Sequence, residues 1–357
     1  MPGRQEDKHR RVIGGLFGLP DRVHELADPC GESWPFQRPG TLRMVNARSA
    51  FSFLGQALQP RKAWLPSYLC QAVVQGFQAA AVPMEFFPVN DRLHCENAGW
   101  LKHIQPGDLV LRVNYFGFVN TDPVFEEAIS RGAWIVDDAA QALLTKDIGT
   151  AASFVIYSPR KFVGVPDGAF LVPMISAPRQ WPAVQPVPTA WWLGTFSASQ
   201  LRRDFDLGVT SRDWYAAFQG AERTAPIGSF AMSEFSGHLL DQCFDFSVIA
   251  RIRRVNYLQL LKLLGDFALF RELPAGVVPI GFPVRLHHRD AVRQELFREQ
   301  VFPPVHWALS GWMPDSFAAS HNLAKEMMTL PCDQRYDGDD MQHVSEAFLR
   351  ALVTARR

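Results

Sequence analysis

The 357-residue chain has no excess of charge of either sign, because Lys and Arg together number 36 and Asp and Glu also number 36. A protein that holds nucleic acid in a groove normally carries a basic excess. We therefore expect no nucleic acid among the main partners. Hydrophobic residues make up 47% and charged residues 20% of the chain, which is typical of a globular protein in water. The clustered arginines Arg251, Arg253 and Arg254 are interpreted as the solvated face of a helix.

Paired cysteines and long apolar runs are also missing. The five cysteines are odd in number and widely spread, and they contain no CxxC pair, which argues against a disulfide framework or a zinc knuckle. The adjacent pair His287-His288 has no third ligand in view, so we expect surface histidines and no metal site. No segment has ~18 uninterrupted apolar residues, and the polar start resembles no signal peptide. The expected location is the cytoplasm, without a membrane span.

Strands and helices alternate from about residue 63 to residue 172. Short apolar runs predict strands at 62–65, 84–89, 108–115, 133–136, 153–157 and 169–172, with helices at 68–81 and 124–131. This alternation indicates parallel βαβ units in a doubly wound sheet. Ligands of such sheets bind beyond the carboxyl ends of the strands.

The rest of the chain predicts a second, smaller unit. Residues 175–228 are rich in proline and look irregular, whereas the apolar spacing of 244–264 is typical of a long linking helix. Beyond it we predict strands at 282–286 and 305–307, a helix at 290–300 and a closing helix at 341–354. The predicted domains are residues 1–240, with an N-terminal arm, and residues 241–357, with the linker helix and a small α+β domain.

Two short segments hold most of the chemical information. The first, Ile135–Gln141, is an apolar strand that ends in two acids, and the second, Ser158–Gly168, follows a strand with a lysine and a Gly/Pro turn. Each alone has an ordinary explanation, since a strand-end Asp often caps a helix and a loop lysine is usually solvated. Together they offer what pyridoxal phosphate requires of a protein.

Pyridoxal phosphate needs a lysine amine, a carboxylate beside its pyridine nitrogen, donors for its phosphate and a cover for its ring. Lys161 is the candidate amine and Asp138 the candidate carboxylate. The helix start at Arg48-Ser49, together with Ser158, is the candidate phosphate site. The region of Tyr68 is the candidate ring cover.

These segments resemble the nucleotide-sugar aminotransferase family of the DegT/StrS type, within the fold type I group of pyridoxal-phosphate enzymes. The resemblance covers roughly residues 45–353. It is carried by the segments Leu65–Ser67, Val113–Gly117, Asp137–Gln141, Ser158 with Lys161, Arg289-Asp290, His306 and Leu330-Pro331. It implies a three-layer, doubly wound, mostly parallel sheet with a smaller C-terminal α+β domain.

The resemblance also implies roles for single residues. Lys161 carries the cofactor as an imine, Asp138 pairs with the pyridine nitrogen and Gln141 approaches the ring hydroxyl. Ser49 and Ser158 contact the phosphate, beside the bulky cation of Arg48, and Tyr68 replaces the ring-stacking aromatic at the position of Cys70. The implied substrate-side residues are His306, Asn114 and Ser229; Asn114 stands where the family has histidine, and Ser229 belongs to the segment that normally reaches the partner subunit.

The function implied is transfer of an amino group from an amino acid, glutamate in most relatives, to a keto group of a nucleotide-activated sugar. The fold type I group implies a homodimer. The departures at Cys70, Asn114 and the segment 228–232 leave two alternatives open. One is another pyridoxal-phosphate reaction on a non-sugar substrate, and the other is a non-catalytic protein that binds the cofactor or a sugar nucleotide for regulation.

Overall fold

The computed structural model of the chain describes residues 11–20, 34–95, 98–175, 181–209 and 211–355. Its strands are β1 (Ile13–Gly14), β2 (Leu42–Met44), β3 (Ala63–Pro66), β4 (Met84–Phe87), β5 (Leu109–Val113), β6 (Trp134–Ala139), β7 (Phe154–Tyr157), β8 (Ala169–Pro173), β9 (Phe282–Arg285), β10 (Val301–Phe302) and β11 (Met327–Leu330). Its α-helices are α1 (Ala47–Leu58), α2 (Gln71–Ala79), α3 (Val124–Ser130), α4 (Thr189–Asp206), α5 (Asp213–Arg223), α6 (Glu234–Gln242), α7 (Phe246–Leu264), α8 (Arg289–Arg298), α9 (Ala318–Glu326) and α10 (Gly338–Thr354).

Seven strands form the central sheet in the order β2-β8-β7-β6-β5-β3-β4. The pairs from β7 to β4 are all parallel, and only β8 runs antiparallel to its two neighbours. Every residue of β3, β5 and β7 is buried, as expected of parallel strands that are covered on both faces. The predicted doubly wound, mostly parallel sheet is therefore confirmed.

The first helix starts where a polar cap replaces the missing backbone partners. Asn46 caps α1, because its side-chain oxygen accepts a hydrogen bond of 2.8 Å from the Ser49 amide. The helix buries Phe51, Phe53 and Leu54 and packs against β7 and β8. This fixes the N-terminal end of α1 beside the ends of the central strands.

The first hydrophobic core surrounds the central sheet. A second hydrophobic core lies in the C-terminal part, around β9 paired antiparallel with β11 and β1 paired parallel with β10. Helix α7 joins the two cores: Phe246 and Ile249 belong to the first, whereas Tyr257 and Leu260 belong to the second. The smaller C-terminal α+β domain is thus confirmed as part of the fold class. The boundary between residues 240 and 241 stays a prediction.

Three sequence-based expectations differ from the structure. Residues 305–307 form no strand; the strand is β10, just before them, because it pairs with the N-terminal β1. The segment 175–228 contains two regular helices, α4 and α5, which begin after the proline-rich stretch. Of the clustered arginines, Arg251 is exposed, but Arg253 is fully buried on the inner face of α7. Within the described ranges, no helix combines the length and the apolar character needed to cross a membrane.

An N-terminal strap, residues 13–19, connects the two cores. At one end, Ile13 pairs with Val301 in the second core, and at the other end the Leu19 amide donates to the Ser199 carbonyl of α4 over 3.2 Å. The strap lies close to the segment Ser158–Gly168 that carries Lys161, here named the lysine segment. A Cβ at Gly164 of this segment would stand 1.7 Å from the Gly18 carbonyl oxygen. Glycine at position 164 therefore allows this contact.

Candidate active site

A cavity of about 440 Å³ lies at the carboxyl ends of β6 and β7, between the two cores. Its walls come from the starts of α1 and α2, from α5, from the strap and from the C-terminal domain. This position agrees with the rule that ligands of open α/β sheets bind beyond the strand ends. The cavity brings together Lys161, Asp138, Ser158, Arg48 and His306 from the sequence-predicted site residues.

The two acids that end β6 point to opposite sides, because successive side chains of a strand alternate. Asp138 lines the cavity, and its Oδ1 accepts a 2.9 Å hydrogen bond from the Ala140 amide. Burial raises the pKa of Asp138, while the nearby Lys161 acts to lower it. Asp137 instead forms a buried two-point ion pair with Arg112, at 2.6 and 3.0 Å. Only Asp138 is therefore available to a bound molecule.

Lys161 ends a short 3-10 helix, Pro159–Lys161, that directly follows β7. The Lys161 amide donates to the Ser158 carbonyl over 3.2 Å, so the turn folds back on the strand end. Ser158 lines the cavity beside the lysine. The next residue back from the lysine, Arg160, forms an ion pair with Glu222 of α5, and both line the cavity. Arg160 lowers the pKa of Glu222, which keeps that carboxyl ionised.

Sequence reasoning missed the acid that fixes the far end of the lysine segment. Asp167 is fully buried, and it accepts hydrogen bonds from the Ser233 amide at 2.7 Å and from the Ser233 and Ser236 hydroxyls at 2.5 Å each. These contacts tie the segment to the start of α6. The signal available in the sequence was an acid in a Gly/Pro turn next to the lysine, but its partners lie about 70 residues further along the chain.

The N-terminal end of α1 forms the wall where a phosphate is predicted. Asn46 and Arg48 line the cavity, whereas the Ser49 hydroxyl donates to the Pro226 carbonyl over 2.9 Å and is not among the lining residues. The start of α2 faces the same space through Cys70 and Ala72. Free backbone N–H groups at helix starts favour anions.

Besides Ser49, four predicted residues lie outside the lining of the cavity. The Tyr68 ring packs against the Tyr115 ring, and the Tyr115 hydroxyl donates to the Tyr68 carbonyl oxygen over 2.5 Å. Tyr68 is not among the residues that line the cavity, whereas Cys70 is. Asn114 is buried and accepts from the Asn120 amide over 3.0 Å. Ser229 donates to Gln56 over 3.2 Å on its own chain.

Gln141 is the fourth residue of this group. It is buried, and its Oε1 accepts from the Phe116 amide over 2.9 Å. Its Nε2 has no hydrogen-bond partner among the described residues. The side chain is thus oriented by one bond and retains an unused donor.

His306 reaches the cavity from the C-terminal domain together with Thr329. The His306 Nδ1 and the Thr329 hydroxyl are hydrogen-bonded over 3.0 Å. Burial, assisted by the charge of Lys161, lowers the pKa of His306 to about 3. The imidazole is therefore neutral at neutral pH and can donate or accept a hydrogen bond, but it contributes no charge.

The strap forms another wall of the cavity with Gly14, Gly15, Leu16 and Phe17. Arg335 holds it in place, donating to the Leu16 carbonyl over 3.0 Å and lying over the Phe17 ring at 4.1 Å. No local pattern predicts this wall, because the strap and Arg335 are some 320 residues apart in the chain. In the described ranges no group of three or more His, Cys, Asp or Glu side chains is placed to hold a metal ion.

The residues present fit pyridoxal phosphate. Among the residues that line the cavity, Arg48 has a buried Nε without an acceptor in the described part of the chain, and an unpaired buried donor is costly until a ligand supplies one. A phosphate oxygen is a suitable acceptor. The cavity also presents an amine, Lys161, and a buried carboxylate, Asp138, at the ends of neighbouring strands.

No family model matches the chain, and no curated protein sequence matches it. Solved structures do share its fold. A putative sugar aminotransferase, Spr1654 from Streptococcus pneumoniae, has 14% identity and a TM-score of 0.66 over 90% of this chain and 89% of that chain. Helicobacter pylori PseC, an aminotransferase involved in the biosynthesis of pseudoaminic acid, has 13% identity and a TM-score of 0.65 over 88% and 87%.

A third structure is a DegT DnrJ EryC1 StrS aminotransferase from Brucella abortus, with 15% identity and a TM-score of 0.61 over 87% of this chain and 85% of that chain. At such identities the likeness shows a common fold, which extends over nearly the whole chain. The chemistry of this protein has to be argued from its own residues.

Proposed function

We propose that the chain is a pyridoxal-phosphate-dependent aminotransferase that moves an amino group from an amino acid, with glutamate as the expected donor, to a keto group of a nucleotide-activated sugar. The observation that carries the proposal is the convergence of Lys161, Asp138, Ser158 and the start of α1 on one cavity. Solved structures of the same fold are described as sugar aminotransferases, one of them in a form with pyridoxal phosphate, which supports this choice of chemistry.

When bound, the cofactor supplies an electron sink for the pair left behind as the bond between the substrate's Cα and its hydrogen breaks. Lys161 would hold the cofactor covalently and would then take and return the Cα proton, because its amine lies beside the site. Asp138 would hold a proton on the pyridine nitrogen, since a buried carboxylate favours a cationic neighbour. Arg48 and the amides at the start of α1 would bind the phosphate.

The surrounding residues would orient these groups and exclude water. The Arg160–Glu222 pair and Asp167 hold the lysine segment from α5 and α6. Neutral His306, with Thr329, offers a hydrogen bond toward a substrate without placing a second charge beside Lys161. The strap covers one wall of the cavity.

The test is spectroscopic and chemical. Purified protein incubated with pyridoxal phosphate should turn yellow, and borohydride should fix the cofactor on Lys161, as read by mass spectrometry of a digest. Glutamate should then convert the absorbance to that of the pyridoxamine form, and a panel of nucleotide keto-sugars should restore it. A label on another lysine would refute the assigned site, and a stable yellow band that no amino acid changes would indicate a binding protein.

The proposal includes a homodimer, since two-fold assemblies are the commonest oligomers and the fold type I resemblance implies one. In this chain the segment 228–232 lies along its own β2, where the Met232 amide donates to the Arg43 carbonyl over 3.1 Å. Apolar side chains that could be buried in a subunit contact are exposed on α4, on α5 and in the turn between them: Leu193, Leu207, Val209 and Tyr215. A monomer at micromolar concentration that transaminates at full rate would contradict the dimer.

A further inference from the structure

A buried arginine reaches the lysine segment from outside the sheet domain. Arg253 of α7 is fully buried, although it belongs to the arginine cluster that the sequence analysis interprets as a solvated helix face. Burial lowers its pKa to about 10, so it remains a cation at neutral pH. A buried cation is costly unless hydrogen bonds satisfy it, so the acceptors of the Arg253 guanidinium are informative about its role.

The acceptors of Arg253 are neutral, and one of them is next to Lys161. Its Nη2 donates to the Phe162 carbonyl over 3.3 Å, and its Nη1 donates to the Ile280 carbonyl over 3.1 Å. The guanidinium also lies over the Phe162 ring, 4.5 Å from its centroid. Phe162 is the residue that closes the 3-10 turn of Lys161.

A second donor converges on the same carbonyl from the C-terminal domain. Gln334 donates from Nε2 to the Phe162 oxygen over 2.6 Å, and its Oε1 accepts from Arg253 Nε over 2.8 Å. Arg253, Gln334 and the Phe162 carbonyl thus form a closed triangle of hydrogen bonds, here named the Phe162 clamp. Since networks of this kind polarise one another, loss of one member weakens the others.

We propose that Arg253 and Gln334 are positioning residues that set the placement of the Lys161 amine from the linker helix and the C-terminal domain. The inference rests on the proposed function, because it assigns the clamp to the lysine that the proposed chemistry uses. The backbone of the lysine turn is fixed on the sheet side by Ser158 and on the far side by the clamp. A shift between the two domains would therefore move the lysine, and misplacement by about 1 Å can cost on the order of 10²-fold in rate.

The chain offers a matched control for this idea. Asn256 also lies on α7, three residues after Arg253, and its Nδ2 donates to the carbonyls of Asp333 and Tyr336 at 3.1 and 2.9 Å. It therefore ties the same helix to the segment that carries Gln334, without contacting the lysine turn. Gln334→Met and Asn256→Leu each replace an amide by an apolar side chain of similar shape.

The experiment measures Lys161 itself in the full chain. Cofactor-free protein is labelled with acetic anhydride across pH, and the rate at Lys161 relative to other lysines is read by mass spectrometry; attachment of pyridoxal phosphate is followed by absorbance. Gln334→Met should change the Lys161 labelling rate or its pH midpoint and slow cofactor attachment about 10-fold. Asn256→Leu should lower the thermal midpoint by a similar amount and leave both lysine readouts at wild-type values.

Gln334→Glu supplies a second variant in case Gln334→Met fails to fold. It keeps an acceptor for Arg253 but loses the donor to the Phe162 carbonyl, so it should remain stable and still alter Lys161. If both Gln334 variants leave the lysine unchanged, the clamp is merely structural and the inference is wrong. If the wild type takes up no cofactor, the proposed function fails, while the labelling of Lys161 still decides on the clamp.

Discussion

At the scale of single residues, the two neighbouring acids at the end of β6 have separate tasks. Asp138 faces the cavity, whereas Asp137 neutralises Arg112 in the interior. The sequence predicts that the two side chains diverge, because alternation along a strand is a property of the backbone. It does not predict the partner of Asp137, since Arg112 lies on a neighbouring strand, 25 residues earlier in the chain.

The first prediction separates these two acids by substitution with asparagine. Asp138→Asn should lower kcat on the order of 10²-fold, since it removes a charge needed mainly in the transition state. In the cofactor-free protein it should leave the free energy of unfolding unchanged or higher, because burial disfavours the ionised form. Asp137→Asn should instead lower that free energy by about 3 kcal/mol, as Arg112 is left without its counter-ion. Half-reaction kinetics with glutamate and urea unfolding measure the two effects; the reverse assignment would mean that the interpretation of the motif is off by one residue.

The second prediction concerns pH and His306. Its pKa is about 3 in the folded protein and 6.5 in a model peptide, so the unfolded chain binds the extra proton between these values. The free energy of unfolding should therefore fall as the pH drops from 6.5 toward 3, by at most about 1.4 kcal/mol per unit from this group. His306→Gln keeps a hydrogen-bonding side chain but cannot titrate. Urea unfolding of both proteins from pH 7 to pH 4 should give a smaller slope for the variant, and equal slopes would show that His306 does not titrate abnormally.

At the scale of elements, the start of α1 shows which parts of the fold and of the candidate site the sequence predicts and which it does not. The apolar runs of the central sheet predict strands β3 to β8, because each run is short and followed by a turn, but they do not predict β2. The wall at which the phosphate is predicted to bind is harder to predict, because Arg48 and Ser49 are adjacent in sequence and yet only Arg48 lines the cavity. The Ser49 hydroxyl is taken by the Pro226 carbonyl, from a segment that the sequence leaves irregular.

The third prediction tests Arg48 as the phosphate cation. Arg48→Met preserves much of the apolar stem but removes the guanidinium. It should weaken binding of pyridoxal phosphate 10-fold or more, in line with about 1.5–3 kcal/mol for a charge-assisted hydrogen bond. Binding of pyridoxal, which lacks the phosphate, should change little. Arg43→Met is the control, because Arg43 pairs with Asp241 outside the cavity, at 2.8 Å. Equal losses for the two ligands would exclude a phosphate role.

At the scale of the whole molecule, the cavity depends on parts that are remote in sequence. The strap precedes the strands of the central sheet, yet its strand β1 pairs in the second core, and Gly14 and Gly15 line the cavity. Local patterns predict strands and helices because these depend on near neighbours. They do not predict that residues near 14, 160, 253 and 334 meet, since such contacts depend on how the two cores are placed.

The fourth prediction uses the tightest of these long-range contacts. Gly164 of the lysine segment leaves no room for a side chain, because its Cβ would stand 1.7 Å from the Gly18 carbonyl oxygen, a backbone atom that cannot simply rotate away. Gly164→Ala should therefore push the strap from the lysine segment. We expect a fall of about 1–3 kcal/mol in the free energy of unfolding, as for other overpacked sites. Amide exchange of residues 12–19 should accelerate, and bound cofactor should dissociate faster, because one wall of the cavity opens.

Gly194→Ala is the control for this substitution. Gly194 lies in α4, and nothing stands within 4 Å of a Cβ added there, so alanine should raise the free energy of unfolding by about 0.5–1 kcal/mol through its better helix propensity. Hydrogen exchange read by mass spectrometry distinguishes the two positions directly. If Gly164→Ala loses stability while the strap amides exchange at the wild-type rate, the strain is absorbed within the lysine segment. The strap would then cover the cavity without depending on that contact, and faster cofactor dissociation in the variant would have to come from a displaced Lys161.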